Sequence, residues 1–149
     1  TGVGVSGLAL LRHSPEATLT TLDVEAEYQR QAKAMFAEAG IPAARTRLIT
    51  GDAAQVLPRM NLGSYDLVLI DANPEALLEY LERALTIVRL GGTIVIPNAL
   101  WRGRVPDPAA RDGLTADFRA LLSAVVDSPA ILPVLSPAGD GLLTLTRIG

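Results

Sequence analysis

Cysteine is absent from the 149 residues, which excludes disulfides, thiolate zinc sites and a cysteine nucleophile. Histidine is nearly absent too. One residue, His13, excludes a multi-histidine metal site and leaves little from which to build a Ser-His-Asp triad. No apolar run approaches the ~20 residues needed to cross a bilayer, so a membrane partner is not expected. There is no excess of positive charge: 13 basic against 16 acidic residues give a net charge of −3, which argues against a nucleic-acid partner. The lack of cysteine fits a cytoplasmic location. What the chain does have is a hydrophobic fraction of 49%, enough for a real core and against disorder. Its length suits one domain spanning residues 1–149, removing roughly two-thirds of the unfolded surface from water.

Apolar periodicity alternates between strand and helix along the chain. Strands are expected at 18–22, 47–50, 66–70, 93–96, 131–135 and 141–147. Helices are expected at 25–39, 53–59, 75–90 and 114–126. Tyr28, Ala32, Met35 and Phe36 mark the buried face of the first of these. Leu77, Leu78, Leu81, Leu85 and Val88 do so in the third, which Gly91-Gly92 is expected to end. The apolar run from Leu67 to Ile70 is continuous, the pattern of a strand covered on both faces. Residues 97–113 read as a long loop, and Pro137-Ala138-Gly139-Asp140 as a hairpin turn.

This alternation predicts an α/β fold of the doubly wound, Rossmann-like kind. Its sheet is expected to be mostly parallel, with the C-terminal strand forming an antiparallel edge. Ligands of such sheets bind beyond the carboxyl ends of the strands. The candidate site residues therefore cluster after each strand.

The chain opens in Gly2-Val3-Gly4-Val5-Ser6-Gly7, a full G-x-G-x-x-G, and Asp23 follows 21 residues after Gly2 at the end of a strand. Glycines let a ligand approach the backbone, and a strand-end carboxylate accepts both hydroxyls of a ribose. A nicotinamide dinucleotide and S-adenosylmethionine both satisfy that pattern. A glycine loop of this type normally follows a buried strand, so a first strand, central to the sheet, is expected upstream of Thr1 in a longer natural chain.

Later segments narrow the choice. Tyr65-Asp66-Leu67-Val68-Leu69-Ile70-Asp71-Ala72 and Leu90-Gly91-Gly92-Thr93-Ile94-Val95-Ile96 resemble the fourth- and fifth-strand motifs of class I S-adenosylmethionine-dependent methyltransferases. Asp71-Ala72-Asn73 and Asn98-Ala99-Leu100-Trp101-Arg102-Gly103-Arg104-Val105 are similar to the D-A-D-K and D-N-x-L-W-x-G-x-V signatures of the catechol and caffeoyl-CoA O-methyltransferases. The resemblance extends over nearly the whole chain. It implies that Thr1, Gly2, Gly4 and Ser6 lie along the methionine part of S-adenosylmethionine. Asp23 would hold the ribose with Val24 beside the adenine, and Gly51, Asp52 and Ala53 would line the adenine pocket. Asp71 would lie where cofactor and acceptor meet and act as the catalytic group. Asn73, Asn98 and Trp101 would face a small hydroxylated acceptor. The resemblance also implies a homodimer lacking, in this sequence, its N-terminal helices and first strand.

Two positions depart from the family pattern. A divalent cation such as magnesium would be held by Asp71 and Asn98, but Pro97 stands where an aspartate ligand is usual. Pro74 stands where a lysine often helps to deprotonate the hydroxyl, leaving Asp71 as the candidate general base. Asp107 is a nearby acid that would replace the lost ligand. Arg102, Arg104 and Arg111 read either as a solvated loop or as recognition of an anionic acceptor. Three functions stay open at this stage: an O-methyltransferase, a non-catalytic S-adenosylmethionine-binding relative, and a nicotinamide-dependent oxidoreductase.

Overall fold

The computed structural model describes all 149 residues, and the chain divides into two compact units, Thr1–Val56 and Leu57–Gly149.

The first unit contains α1 (Val5–Arg12), β1 (Leu19–Asp23), α2 (Ala26–Glu38), β2 (Thr46–Thr50) and α3 (Ala53–Val56). β1 and β2 pair in parallel, from Leu19 opposite Thr46 to Asp23 opposite Thr50. A parallel pair needs a crossover, and α2 supplies it. The buried face of α2 is Gln29, Ala32 and Phe36, whereas Tyr28 is 45% exposed. The face is turned from the expected one because the amide nitrogen of Gln29 finds an acceptor inside: its Nε2 donates to the Ile49 carbonyl at 2.9 Å, while its Oε1 is buried without a partner. Burying a side chain such as Phe36 contributes ~1.5–3 kcal/mol. Gly4 and Gly7 allow α1 to pack closely. A Cβ on Gly4, which has φ +93°, would lie 3.0 Å from Ala32, and one on Gly7 would lie 2.7 Å from Leu19. Arg45 ties the loop after α1 to β2 by donating to the carbonyls of Ser14 at 2.6 Å and Ala17 at 2.8 Å. His13 ends α1 and is exposed.

The second unit contains β3 (Tyr65–Leu69), α4 (Leu77–Ile87), β4 (Val88–Ile96), α5 (Gly113–Asp127), β5 (Ile131–Ser136) and β6 (Leu142–Arg147). The strand order is β3-β4-β6-β5. β4 is parallel to β3, and β6 is antiparallel to both β4 and β5. The C-terminal strand thus runs against the others, as expected, and lies between β4 and β5 with β5 outermost. Register places Val68, Ile94 and Leu145 on one face of the sheet. There they join Leu77, Leu81, Ala84, Phe118, Leu121 and Val125 of α4 and α5 in one core. On β3 the other face is less covered, since Leu67 is 40% exposed. The continuous apolar run therefore does not mean burial on both sides here.

The expected boundary at Gly91-Gly92 is also shifted. α4 stops at Ile87, and β4 already begins at Val88, which is fully buried and extended. The glycines form a bulge within β4: Tyr65 pairs with Val88, but Leu67 pairs with Thr93. A Cβ on Gly92 would meet the Arg89 carbonyl at 3.0 Å and the Asp66 carbonyl at 3.1 Å. Gly92 serves close backbone approach and Gly91 a left-handed φ of 73°, rather than a helix stop. Helical spacing continues through Val88, so periodicity alone could not place this junction. No helix is long and apolar enough to cross a membrane.

Candidate functional site

In the first unit the glycine loop is bound to the end of β1. The Gly2 N–H donates to Asp23 Oδ2 at 2.9 Å, and the Thr1 nitrogen lies 3.4 Å from the same oxygen. Asp23 Oδ1 accepts the Glu25 N–H at 2.9 Å. Burial works to raise the Asp23 pKa. Hydrogen bonds from the backbone N–H groups of Glu25 and Gly2 oppose it, and the carboxyl lies below its ordinary value. Each oxygen keeps a free lone pair for a further donor. A Cβ on Gly2 would meet nothing within 4 Å, so space beside that backbone is open.

The remaining predicted residues of this unit divide by role. The Thr1 hydroxyl turns inward, 2.5 Å from Thr21 Oγ1 and 2.7 Å from the Leu22 carbonyl, so only its main chain is available to a ligand. Val24 is 64% exposed directly after Asp23, an apolar surface beside a carboxylate. The Gly51 N–H donates to the Asp23 carbonyl at 2.9 Å, which brings the end of β2 against the end of β1. Asp52 caps the short helix α3 by accepting the Ala54 N–H at 2.9 Å. Ser6 stays exposed on the first turn of α1. This carboxylate, open backbone and exposed valine suit an adenosine ligand, and Gly4 stands apart from them in helix packing.

In the second unit Asp71 follows β3 directly. It is exposed, and its carboxylate makes no hydrogen bond or ion pair within the chain. Asn73 is the residue that caps the next turn, its Oδ1 accepting the Glu75 N–H at 3.2 Å. Beyond β4 the backbone enters an unusual conformation. Asn98, Trp101 and Arg102 have φ of 58°, 49° and 57°. Left-handed residues other than glycine cost ~1–2 kcal/mol each, and such strain gathers at functional sites. Trp101 stacks on Phe118 of α5, with ring centroids 5.2 Å apart and planes 19° from parallel. The Arg102 guanidinium lies 5.4 Å from the centre of the indole.

The metal ligands read from sequence fit poorly. Asp71 and Asn98 offer one carboxylate and one amide, and Pro97 offers no side-chain oxygen. Nowhere in the chain do three or more His, Asp or Glu side chains group to hold a metal ion. Asp107 is occupied in its own turn, accepting the Ala109 N–H at 2.9 Å. Magnesium asks for about six oxygens in near-octahedral array, which these side chains do not supply.

The basic residues of the 97–113 loop are mostly structural. Arg104 pairs with Asp112 at 2.5 Å, and Asp112 caps α5 by accepting the Thr115 N–H at 3.1 Å. Hydrogen bonds from the Thr115 hydroxyl and from Arg104 hold the Asp112 carboxyl far below the usual range. Arg119, which sequence reasoning missed, donates to the carbonyls of Val105, Asp107 and Ala110 at 2.9, 2.5 and 2.8 Å. Its place on the flank of α5 carried no signal beyond an ordinary exposed cation.

The sequence profile of a family described as O-methyltransferase matches residues 2–148. A candidate O-methyltransferase of Mycobacterium avium is 47% identical over 148 residues, covering 99% of this chain and 67% of that protein. The chain therefore spans about two-thirds of the length of such relatives. A crystal structure from Corynebacterium glutamicum superposes with a TM-score of 0.92 at 32% identity, covering 99% of this chain and 68% of the other. The O-methyltransferase TomG of Streptomyces achromogenes, crystallised with S-adenosylmethionine, gives a TM-score of 0.83 at 26% identity, covering 98% and 69%.

Proposed function

The chain belongs to the O-methyltransferase family, and we propose on that footing that it moves a methyl group from S-adenosylmethionine to a hydroxyl of a small, phenolic acceptor. The observation that carries the cofactor half of this reading is the Asp23 carboxylate turned onto the Gly2 main chain, with its remaining lone pairs unused. A ribose diol donates two hydrogen bonds, and an ionised carboxylate at a strand end receives both. Val24 supplies apolar surface for the adenine, and Gly51 to Ala53 border it. Thr1, Gly2 and Ser6 take the amino-acid tail through backbone and hydroxyl. Membership of this family favours a sulfonium donor over the nicotinamide cofactor that the glycine pattern alone allowed.

When bound, S-adenosylmethionine supplies a sulfonium methyl whose C–S bond breaks with the electron pair left on sulfur. This chain's residues have the other tasks. Asp71, exposed and unpaired, accepts the proton of the acceptor hydroxyl as the new O–C bond forms. Asn73 and Asn98 offer amide groups to the acceptor's polar edge. Trp101, stacked on Phe118 and with the Arg102 guanidinium over its ring, offers apolar surface beside the acceptor. Because the leaving group is good, correct placement supplies much of the acceleration. A homodimer in the cytoplasm completes the reading, supported by the family resemblance and the absence of cysteine.

Calorimetry with S-adenosylhomocysteine on the natural full-length protein tests the cofactor, and no binding at millimolar ligand rejects it. Turnover over a panel of catechols and other phenols, with and without magnesium, tests the acceptor. Methylation that requires magnesium would overturn the proton transfer assigned to Asp71 alone.

A further inference from the structure

We propose that Asp140, in the turn between β5 and β6, is a positioning residue that holds the Trp101 loop in its left-handed form. The two oxygens of its carboxylate accept two successive main-chain donors, the N–H groups of Arg102 and, at 3.0 Å, Gly103. Trp101, Arg102 and Gly103 are consecutive residues with positive φ. Successive N–H groups in such a run converge on one side and form a concave anion holder. A carboxylate fills it with charge-assisted bonds, whereas a neutral side chain offers fewer acceptors.

The same turn fixes the preceding half of the loop through its main chain. Leu100 N–H donates to the Asp140 carbonyl at 2.8 Å, and Ala99 N–H to the Gly141 carbonyl at 2.9 Å. Contact is close enough that a Cβ on Gly141 would fall 2.6 Å from Leu100 Cγ. The turn is carried by the β5-β6 ladder, which is paired without a break from Ile131 to Ser136. The loop that follows β4 is therefore set from a rigid hairpin some 38 residues downstream. What Asp140 positions is the face of Trp101 over Phe118 and the side chain of Asn98. This inference rests on the reading of those two residues as the acceptor wall.

Trp101 is the sole tryptophan in the 149 residues, and its emission in a longer chain is isolated by subtracting the spectrum of Trp101→Phe. The experiment compares Asp140→Ala and Asp140→Asn with the wild type in the natural full-length chain, using Trp101→Phe as the spectral blank. Folding is checked by circular dichroism, and S-adenosylhomocysteine is titrated in parallel. Asp140→Ala is expected to red-shift Trp101 emission and increase its quenching by acrylamide. It should raise KM for catechol, or for the panel phenol turned over fastest, about tenfold with a much smaller change in kcat. S-adenosylhomocysteine affinity should stay unchanged. Asp140→Asn, with one acceptor oxygen left, should fall between, and it carries the test if the alanine variant does not fold. Emission and KM within about twofold of wild type in a folded variant would overturn the proposal. If the wild type methylates no phenol, the acceptor reading fails by itself, and Trp101 emission still decides whether Asp140 holds the loop.

Discussion

Asp23 and Gly2, separated by 21 residues, are joined by a 2.9 Å hydrogen bond from the Gly2 main chain to the Asp23 carboxylate. One side chain therefore both closes the glycine loop and presents its free lone pairs beside it. Loop geometry and ligand recognition are coupled at a single residue.

Asp23→Ala is expected to weaken S-adenosylhomocysteine binding by roughly 10- to 100-fold, the loss of charge-assisted bonds worth ~1.5–3 kcal/mol. Calorimetry measures this directly. An unchanged affinity would remove Asp23 from the cofactor site.

The same carboxylate makes stability depend on pH. Its pKa is lower in the folded chain than the unperturbed 3.8, so ionised Asp23 stabilises the fold fully above the unfolded value. That contribution fades as pH falls below about 4 and through the lower folded value. Thermal melts of wild type and Asp23→Asn between pH 6 and pH 2 (roughly the range around the carboxylate pKa values) should converge as the pH drops. Curves that stay parallel would contradict the coupling.

Asp71→Asn should lower kcat by about 10²- to 10⁴-fold, the usual contribution of a general base, while leaving cofactor affinity intact. Single-turnover methyl transfer with the best phenol of the panel is the measurement. Retention of more than a tenth of the wild-type rate would assign the proton to another group.

Gly92→Ala should destabilise the second unit by ~1–3 kcal/mol, because its Cβ would press on two backbone carbonyls that cannot swing aside as a side chain would. Urea titration followed by circular dichroism reads the shift. No shift would mean that the bulge in β4 tolerates a side chain.

Sequence alone was enough to place most elements to within a residue or two, because the signals involved are local. The apolar run before Asp71, the helix ending near Gly40 and the hairpin turn at residues 137–140 are each visible within a short window. The spacing of Asp23 from the glycines is likewise a local signal that singles out the carboxylate. Local patterns could not decide which side of α2 faces inward, since Gln29 is buried only because Ile49 offers it an acceptor. Nor could they find the end of α4, where helical spacing runs on through Val88 into a strand. The role of Asp140 was out of reach for the same reason. Its partners, Arg102 and Gly103, lie 38 and 37 residues away in sequence. A turn signal specifies a backbone path, whereas the neighbours of its carboxylate are set by the order in which β4, β6 and β5 pack.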